Sequence, residues 1–88
     1  MIETDVTIPN RAGLHTRPAA ALVKLAARFK SDFFIQKDGF EINGKSIIGV
    51  MTLAAEQGST LHLVFDGVDE QEALEHITQL INDGFGEL

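Results

Sequence analysis

Alternating apolar and polar positions predict a strand near each end of the chain. Between Ile2 and Ile8, every second residue is apolar or β-branched, and acidic residues lie between them. Residues 60–66 repeat this alternation. A period of two is typical of a strand with one buried face. We therefore predict a strand in each segment, the first ending at Pro9.

A second pair of strands is predicted around Asp38-Gly39, a residue pair favoured in the two-residue type I′ turn of a β-hairpin. Such a turn pairs Lys37 with Phe40. The pairing places four apolar side chains on one face of the hairpin: Phe33, Ile35, Phe40 and Ile42. Phe34 would point to the opposite face, toward solvent.

Apolar residues that recur every three or four positions predict two amphipathic helices. The first runs from Thr16 to about Ala27, and the second begins near Asp69. Residues 47–55 are ambiguous. Their β-branched residues favour a strand, whereas Ser46 as a helix cap and the following Met-Thr-Leu-Ala-Ala run favour a short helix.

With a helix at 47–55, the order of elements is strand, helix, strand, strand, helix, strand, helix. This order predicts an α+β fold with helices on one face of an antiparallel sheet. A length of 88 residues and an apolar content of 44% suit one domain over residues 1–88.

The charged residues are unevenly distributed in a chain whose net charge is −6. Residues 1–45 hold all seven Lys and Arg residues and five acidic residues, whereas residues 46–88 hold eight acidic residues and no Lys or Arg. This asymmetry indicates either an anionic ligand or acidic partner near the first helix, or simply solvated charges.

Composition also argues against several other classes of protein. Without cysteine the chain has no disulfide or thiolate metal site, and a reducing cytosol is its expected setting. No apolar run approaches the ~20 residues that span a bilayer, and the acidic N-terminus does not resemble a signal peptide. We expect no metal and no membrane insertion.

The most informative stretch for chemistry is Gly13-Leu14-His15-Thr16-Arg17-Pro18, at the predicted start of the first helix. Unpaired N–H groups and the helix dipole favour an anion at such a position. Either His15 or Thr16 could be the cap, and Pro18 suits the first turn in both registers. Arg17 and the dipole disfavour protonation of His15, which leaves a nucleophilic imidazole that can accept a phosphoryl group.

Other interpretations of these residues remain open. A histidine at a helix edge is most often a solvated surface residue, and only its spacing from Gly13, Arg17 and Pro18 favours a function. Single-stranded nucleic-acid binding would need several aromatic residues on the open sheet, whereas only Phe34 is predicted there. The net charge also opposes it.

The chain resembles HPr, the histidine-containing phosphocarrier family of the bacterial sugar phosphotransferase system. Two motifs carry the resemblance: residues 13–19 (Gly-Leu-His-Thr-Arg-Pro-Ala) and residues 45–51 (Lys-Ser-Ile-Ile-Gly-Val-Met). It implies an open-faced β-sandwich of four antiparallel strands and three helices (βαββαβα), with a helix after Ser46. It also implies a cytoplasmic, monomeric carrier without a cofactor.

The resemblance further implies roles for individual residues. Nδ1 of His15 would accept a phosphoryl group from phosphorylated enzyme I and pass it to enzyme IIA domains of sugar permeases. The phosphate-stabilising residues would be Thr16, Arg17 and Pro18. The partner-docking residues would be Leu14, Lys24, Ile47, Ile48 and Met51.

Ser46 resembles a regulatory site phosphorylated by HPr kinase/phosphorylase. An alternative function is therefore a regulatory HPr-like binding module that acts mainly through phosphorylated Ser46. Such a paralogue would usually lack the His15 acceptor, which this chain has.

Overall fold

The computed structural model describes residues 1–87, and in this part of the chain there are four strands and three α-helices. The strands are β1 (Ile2–Thr7), β2 (Asp32–Lys37), β3 (Phe40–Asn43) and β4 (Thr60–Asp66). The helices are α1 (Thr16–Ala26), α2 (Ile47–Thr52) and α3 (Glu70–Asn82). A 3₁₀ turn, Gly84–Gly86, follows α3.

The strands form one sheet in the order β1-β4-β2-β3, and every neighbouring pair is antiparallel. Helix α3 packs against β1 and β4, while α1 packs against α2 and α3. The predicted α+β sandwich with helices on one face is confirmed. The ambiguous segment 47–55 begins as a helix, because the Ser46 side chain caps it by accepting a hydrogen bond from the Gly49 N–H at 3.1 Å.

A single hydrophobic core fills the space between the sheet and the helices. At its centre Phe33 and Phe65, both almost fully buried, stack with ring centroids 4.8 Å apart and planes 8° from parallel. The backbone after β3 lies directly on this pair, since a Cβ built on Gly44 would be 2.1 Å from the Phe33 ring. Only glycine allows the chain to pass so close.

The hairpin register is as predicted, with Lys37 opposite Phe40. Asp38 and Gly39 both have positive φ, 51° and 84°, as a type I′ turn requires. Phe40 shares the face of the core residues, as predicted, but it lies at the turn and 73% of it is exposed. Phe34 lies on the opposite face, where it is half-buried beside Val64.

Asp69, at the start of α3, is hydrogen-bonded to the loop between α1 and β2. Its carboxylate accepts hydrogen bonds from the Ser31 hydroxyl and from the backbone N–H groups of Lys30 and Ser31. Hydrogen bonds lower the pKa of Asp69 to about 2. The bond from the Ser31 side chain has the largest effect, and the bond from the Lys30 backbone has the next largest. Asp69 is the N-cap residue by position, but its side chain makes no cap hydrogen bond.

The face of the sheet away from the helices, called the open face below, is strongly acidic. Its strand carboxylates are Glu3, Asp5, Asp32, Glu41 and Asp66. His62 lies among them on β4. Its Nε2 is 2.6 Å from a Glu3 oxygen and its Nδ1 is 2.6 Å from an Asp5 oxygen. His62 therefore has two carboxylate partners on the open face.

This contact makes stability depend on pH. Two hydrogen bonds raise the pKa of His62 above its ordinary value of 6.5. The bond with Glu3 has the larger effect, and the bond with Asp5 has the smaller. Because the folded state binds the proton more tightly, this stabilisation is fully present below pH 6.5 and is lost as pH rises through the higher folded value.

We expect His62→Gln to lower the free energy of unfolding at about pH 6 by up to ~1 kcal/mol, the range of exposed ion pairs, and by less at about pH 9. Urea denaturation of both proteins at the two pH values measures the difference. His76→Gln, a change on the surface of α3, serves as the matched control. An equal effect of His62→Gln at both pH values would contradict the prediction.

Candidate functional site

The loop before α1 is built so that His15 is presented at the start of the helix. Gly13 has φ 71°, and a Cβ there would lie 2.4 Å from the backbone oxygen of Ala55. The neighbouring Leu14 N–H donates to that same oxygen at 2.8 Å. Glycine is required here both by the left-handed backbone and by the close approach.

His15 is the N-cap residue of α1, in extended conformation, and its carbonyl accepts the first helical hydrogen bond from the Ala19 N–H at 2.9 Å. Its side chain makes no cap hydrogen bond. Thr16 is therefore the first helical residue and not the cap. The N–H groups of Thr16 and Arg17 precede the helical ladder and have no partner among residues 1–87.

The His15 ring is 40% exposed, and its two nitrogens have different surroundings. Nε2 lies 3.0 Å and 3.2 Å from the two carboxylate oxygens of Glu87. Nδ1 has no hydrogen-bond partner within the described chain and is therefore open to an incoming group.

Two open hollows meet at the His15 ring. The first, of about 440 Å³, has a charged lining in which Arg11, Arg17 and Glu87 surround the imidazole. The second, of about 320 Å³, is more apolar and connects the ring to Met51 on α2. An anion bound at the ring would have two guanidinium groups around the first hollow and unpaired N–H groups at the helix start.

The exposed apolar residues beside this site lie on α2. Ile47, Ile48 and Met51 are 36%, 74% and 43% exposed, and we call these three residues the apolar patch. On α1, Arg17 and Lys24 are exposed basic residues. The structure thus places the predicted acceptor and Met51 of the apolar patch around one hollow, and α1, which carries the basic residues, packs against α2.

Two of the predicted site residues are buried. Leu14 was predicted as a docking residue, but only 4% of it is exposed and it belongs to the core, so it offers a partner little surface. Pro18 was predicted to stabilise phosphate, but it is buried and has no N–H to donate. Their contribution is to fix the loop and the first turn beneath His15.

Sequence reasoning missed Glu87 and Asn10. Asn10 is 1% exposed, and its Nδ2 donates both to the Gly13 carbonyl at 2.8 Å and to Glu87 Oε1 at 2.9 Å. Glu87 reaches the site because three successive residues, Gly84, Phe85 and Gly86, have positive φ and turn the chain back after α3. The glycines on either side of Phe85 were a signal for this turn.

Comparison with known proteins places this geometry in a family. The family model described as "PTS HPr component phosphorylation site" matches residues 2–83. Phosphocarrier protein HPr of Cupriavidus necator is 47% identical over 87 residues, covering 99% of this chain and 98% of its own. HPr-like protein Crh of Halalkalibacterium halodurans is 48% identical over 81 residues, covering 92% and 96%.

A crystal structure of HPr from Thermoanaerobacter tengcongensis superposes with a TM-score of 0.96 at 42% identity, covering 100% of this chain and 99% of that one. No helix within residues 1–87 is both long and apolar enough to cross a bilayer. The fold, both motifs and the match along nearly the whole chain agree, and the chain therefore belongs to the HPr family of phosphotransferase-system phosphocarriers.

Proposed function

We propose that His15 is the residue that carries the phosphoryl group, and that it accepts this group through Nδ1 from phosphorylated enzyme I and passes it to enzyme IIA domains. The observation that carries the proposal is the contrast between the two ring nitrogens. Nε2 is held by Glu87, whereas Nδ1 is free and lies at the start of α1.

The transfer step is balanced without a cofactor or metal. The lone pair of Nδ1 forms a bond to phosphorus while the bond between phosphorus and the donor atom of enzyme I breaks, and its electron pair returns to the donor. The phosphoryl oxygens then face Arg17 and the N–H groups of Thr16 and Arg17, which stabilise negative charge. Attack by an acceptor on an enzyme IIA domain reverses the sequence.

Docking would use the apolar patch together with Arg17 and Lys24. An apolar centre rimmed by basic side chains suits an acidic partner surface, because burial supplies affinity while the charges orient the encounter. We further propose that the carrier is monomeric and cytoplasmic, as the resemblance implied. Light scattering after gel filtration tests the first of these, and a dimer mass would exclude it.

The proposal is tested by incubating the protein with enzyme I and labelled phosphoenolpyruvate. We expect one label per chain that is lost in acid and stable in base, as a phosphorus–nitrogen bond on histidine requires. The label should then move to an added enzyme IIA domain. An acid-stable label, or no label from a fully phosphorylated enzyme I, would exclude the proposed role of His15.

We also propose that Ser46 is a regulatory phosphorylation site. It caps α2 next to the apolar patch, so a phosphate there would add a charge of about −1.5 to −2 at the edge of the docking surface. Such a charge would repel an acidic partner and cost desolvation on docking. The cap itself need not be lost, since a helix start accommodates an anion.

Ser46→Asp is expected to raise the carrier concentration that gives half-maximal transfer from enzyme I by about tenfold, since like charges across an interface cost more than ~1 kcal/mol. The maximal rate should change little, because the His15 ring is untouched. Thr60→Asp, at an exposed position of β4 on the open face, is the control. An unchanged half-maximal concentration would contradict the regulatory role.

The alternative function is an HPr-like regulatory module that acts mainly through phosphorylated Ser46. The similarity to a Crh protein supports this alternative, because that relative is 48% identical to the chain and the Cupriavidus necator phosphocarrier is 47% identical. The presence of His15 with an open Nδ1 supports the carrier instead. The alternative would be established by two results together. An ATP-dependent HPr kinase would label the wild-type protein but not Ser46→Ala, and enzyme I would label neither.

A further inference from the structure

The C-terminal segment, residues 83–87, folds back across the chain to reach the candidate site. Gly84, Phe85 and Gly86 have φ of 65°, 58° and 78°, a conformation that is costly for the phenylalanine. The Phe85 side chain is partly buried against the core and anchors the turn. This arrangement brings Glu87 to a residue 72 positions earlier in the chain.

Glu87 is held on both sides at the His15 ring. Oε1 accepts a hydrogen bond from Asn10 Nδ2 at 2.9 Å, and both oxygens lie within 3.2 Å of His15 Nε2. Asn10 is almost fully buried and its own Oδ1 has no partner within residues 1–87, an arrangement that costs free energy. Glu87 is therefore oriented by a buried amide beneath the loop.

We infer that Glu87 is a positioning residue for phosphoryl transfer: it holds the proton of His15 on Nε2 and so leaves the lone pair on Nδ1, the nitrogen proposed to attack phosphorus. This inference rests on the proposed function. An ionised carboxylate accepts hydrogen bonds and has no proton to donate, so the hydrogen bond requires a proton on Nε2.

The charge state of Glu87 agrees with this role. Desolvation acts to raise its pKa, but hydrogen bonds with His15 and Asn10 and the positive charge of Arg17 lower it, and the net pKa lies below its ordinary value. The other charged groups around the ring are Arg11 and Arg17 in the first hollow and Glu56 in the second. Within residues 1–87, Glu87 is the only one of these charged groups, itself included, that is hydrogen-bonded to the imidazole.

Glu87 would also act on the charge that develops during transfer. When Nδ1 bonds to phosphorus while Nε2 keeps its proton, the ring becomes positively charged. A carboxylate at 3.0 Å stabilises that charge as it forms, and it retains the proton that makes the ring a better leaving group in the onward step. Both directions of transfer are therefore expected to depend on Glu87.

The test compares wild type, Glu87→Gln and Asp83→Asn. Asp83 is an exposed carboxylate in the same segment, so its replacement changes net charge equally without touching the ring. Nitrogen-15 NMR of the neutral His15 ring reports which nitrogen carries the proton. We expect the Nδ1–H form to gain population in Glu87→Gln only, because the glutamine amide can also donate to an unprotonated Nε2.

Single-turnover transfer from pre-phosphorylated enzyme I then separates binding from the chemical step. Glu87→Gln should lower the maximal rate about fivefold, the upper range for a partly exposed ion pair, without changing the half-maximal concentration. Unchanged ring nitrogen shifts, or an unchanged maximal rate, would overturn the inference while leaving the proposed function intact. Failure of the wild type to accept label would overturn the proposed function, whatever the NMR shows.

Discussion

His15→Ala is expected to abolish transfer of acid-labile phosphate from enzyme I to this protein. Alanine removes the nitrogen that would bond to phosphorus, and the other nitrogen-bearing side chains of the two hollows, the guanidinium groups of Arg11 and Arg17, have no lone pair to offer. The fold should persist, because the His15 side chain is 40% exposed and makes no cap hydrogen bond.

The chain provides its own controls for this experiment. His62 lies on the open face and His76 on α3, where its Nδ1 donates to the Glu72 carbonyl at 2.8 Å. His62→Ala and His76→Ala should accept label at the wild-type rate. Label that persists in His15→Ala, or that disappears in one of the other two variants, would assign the acceptor elsewhere.

The largest expected effect on stability is that of Phe33→Ala. The ring is 2% exposed, stacks on Phe65 and supports the backbone at Gly44, so its removal leaves a cavity that the close-packed surroundings fill poorly. Replacements of this kind lower the free energy of unfolding by about 3–5 kcal/mol. A domain of this size has a free energy of unfolding of roughly 4–13 kcal/mol in total, so about a quarter or more of it would be lost.

Phe40→Ala is the matched control, because it deletes the same side chain from the same hairpin at a position that is 73% exposed. We expect it to change the free energy of unfolding by no more than about 0.5 kcal/mol. Urea denaturation followed by circular dichroism measures both variants. Equal losses would show that the stacked pair is not the centre of the core.

Much of the fold was predictable because its elements have clear periods. The alternation in β1 and β4, the three-to-four spacing in α1 and α3 and the turn pair Asp38-Gly39 each specify one structure. Helix α2 is different. It has six residues, several of them β-branched or glycine, so the cap at Ser46 and the packing of Val50 decide its conformation more than its own propensity does.

The contacts that sequence reasoning missed are those between distant segments. His62 meets Asp5 only because β4 pairs with β1 in a register that places the two opposite each other. Glu87 meets His15 only because three residues adopt left-handed conformations after α3. The glycines on either side of Phe85 indicate a turn, but no local pattern identifies the partner in either contact. In contrast, the site around His15 was predictable, because the loop, the helix start and the acceptor are contiguous.

The acidic open face has a consequence for the behaviour of many copies of the chain together. A single-layer sheet with one bare side would ordinarily invite a second sheet to cover it, as in two-layer β-sandwiches. Here a second copy would bring its own five carboxylates against the first five, and mutual repulsion would oppose stacking. Self-association through this side is thus discouraged by charge alone, even where the carrier is abundant.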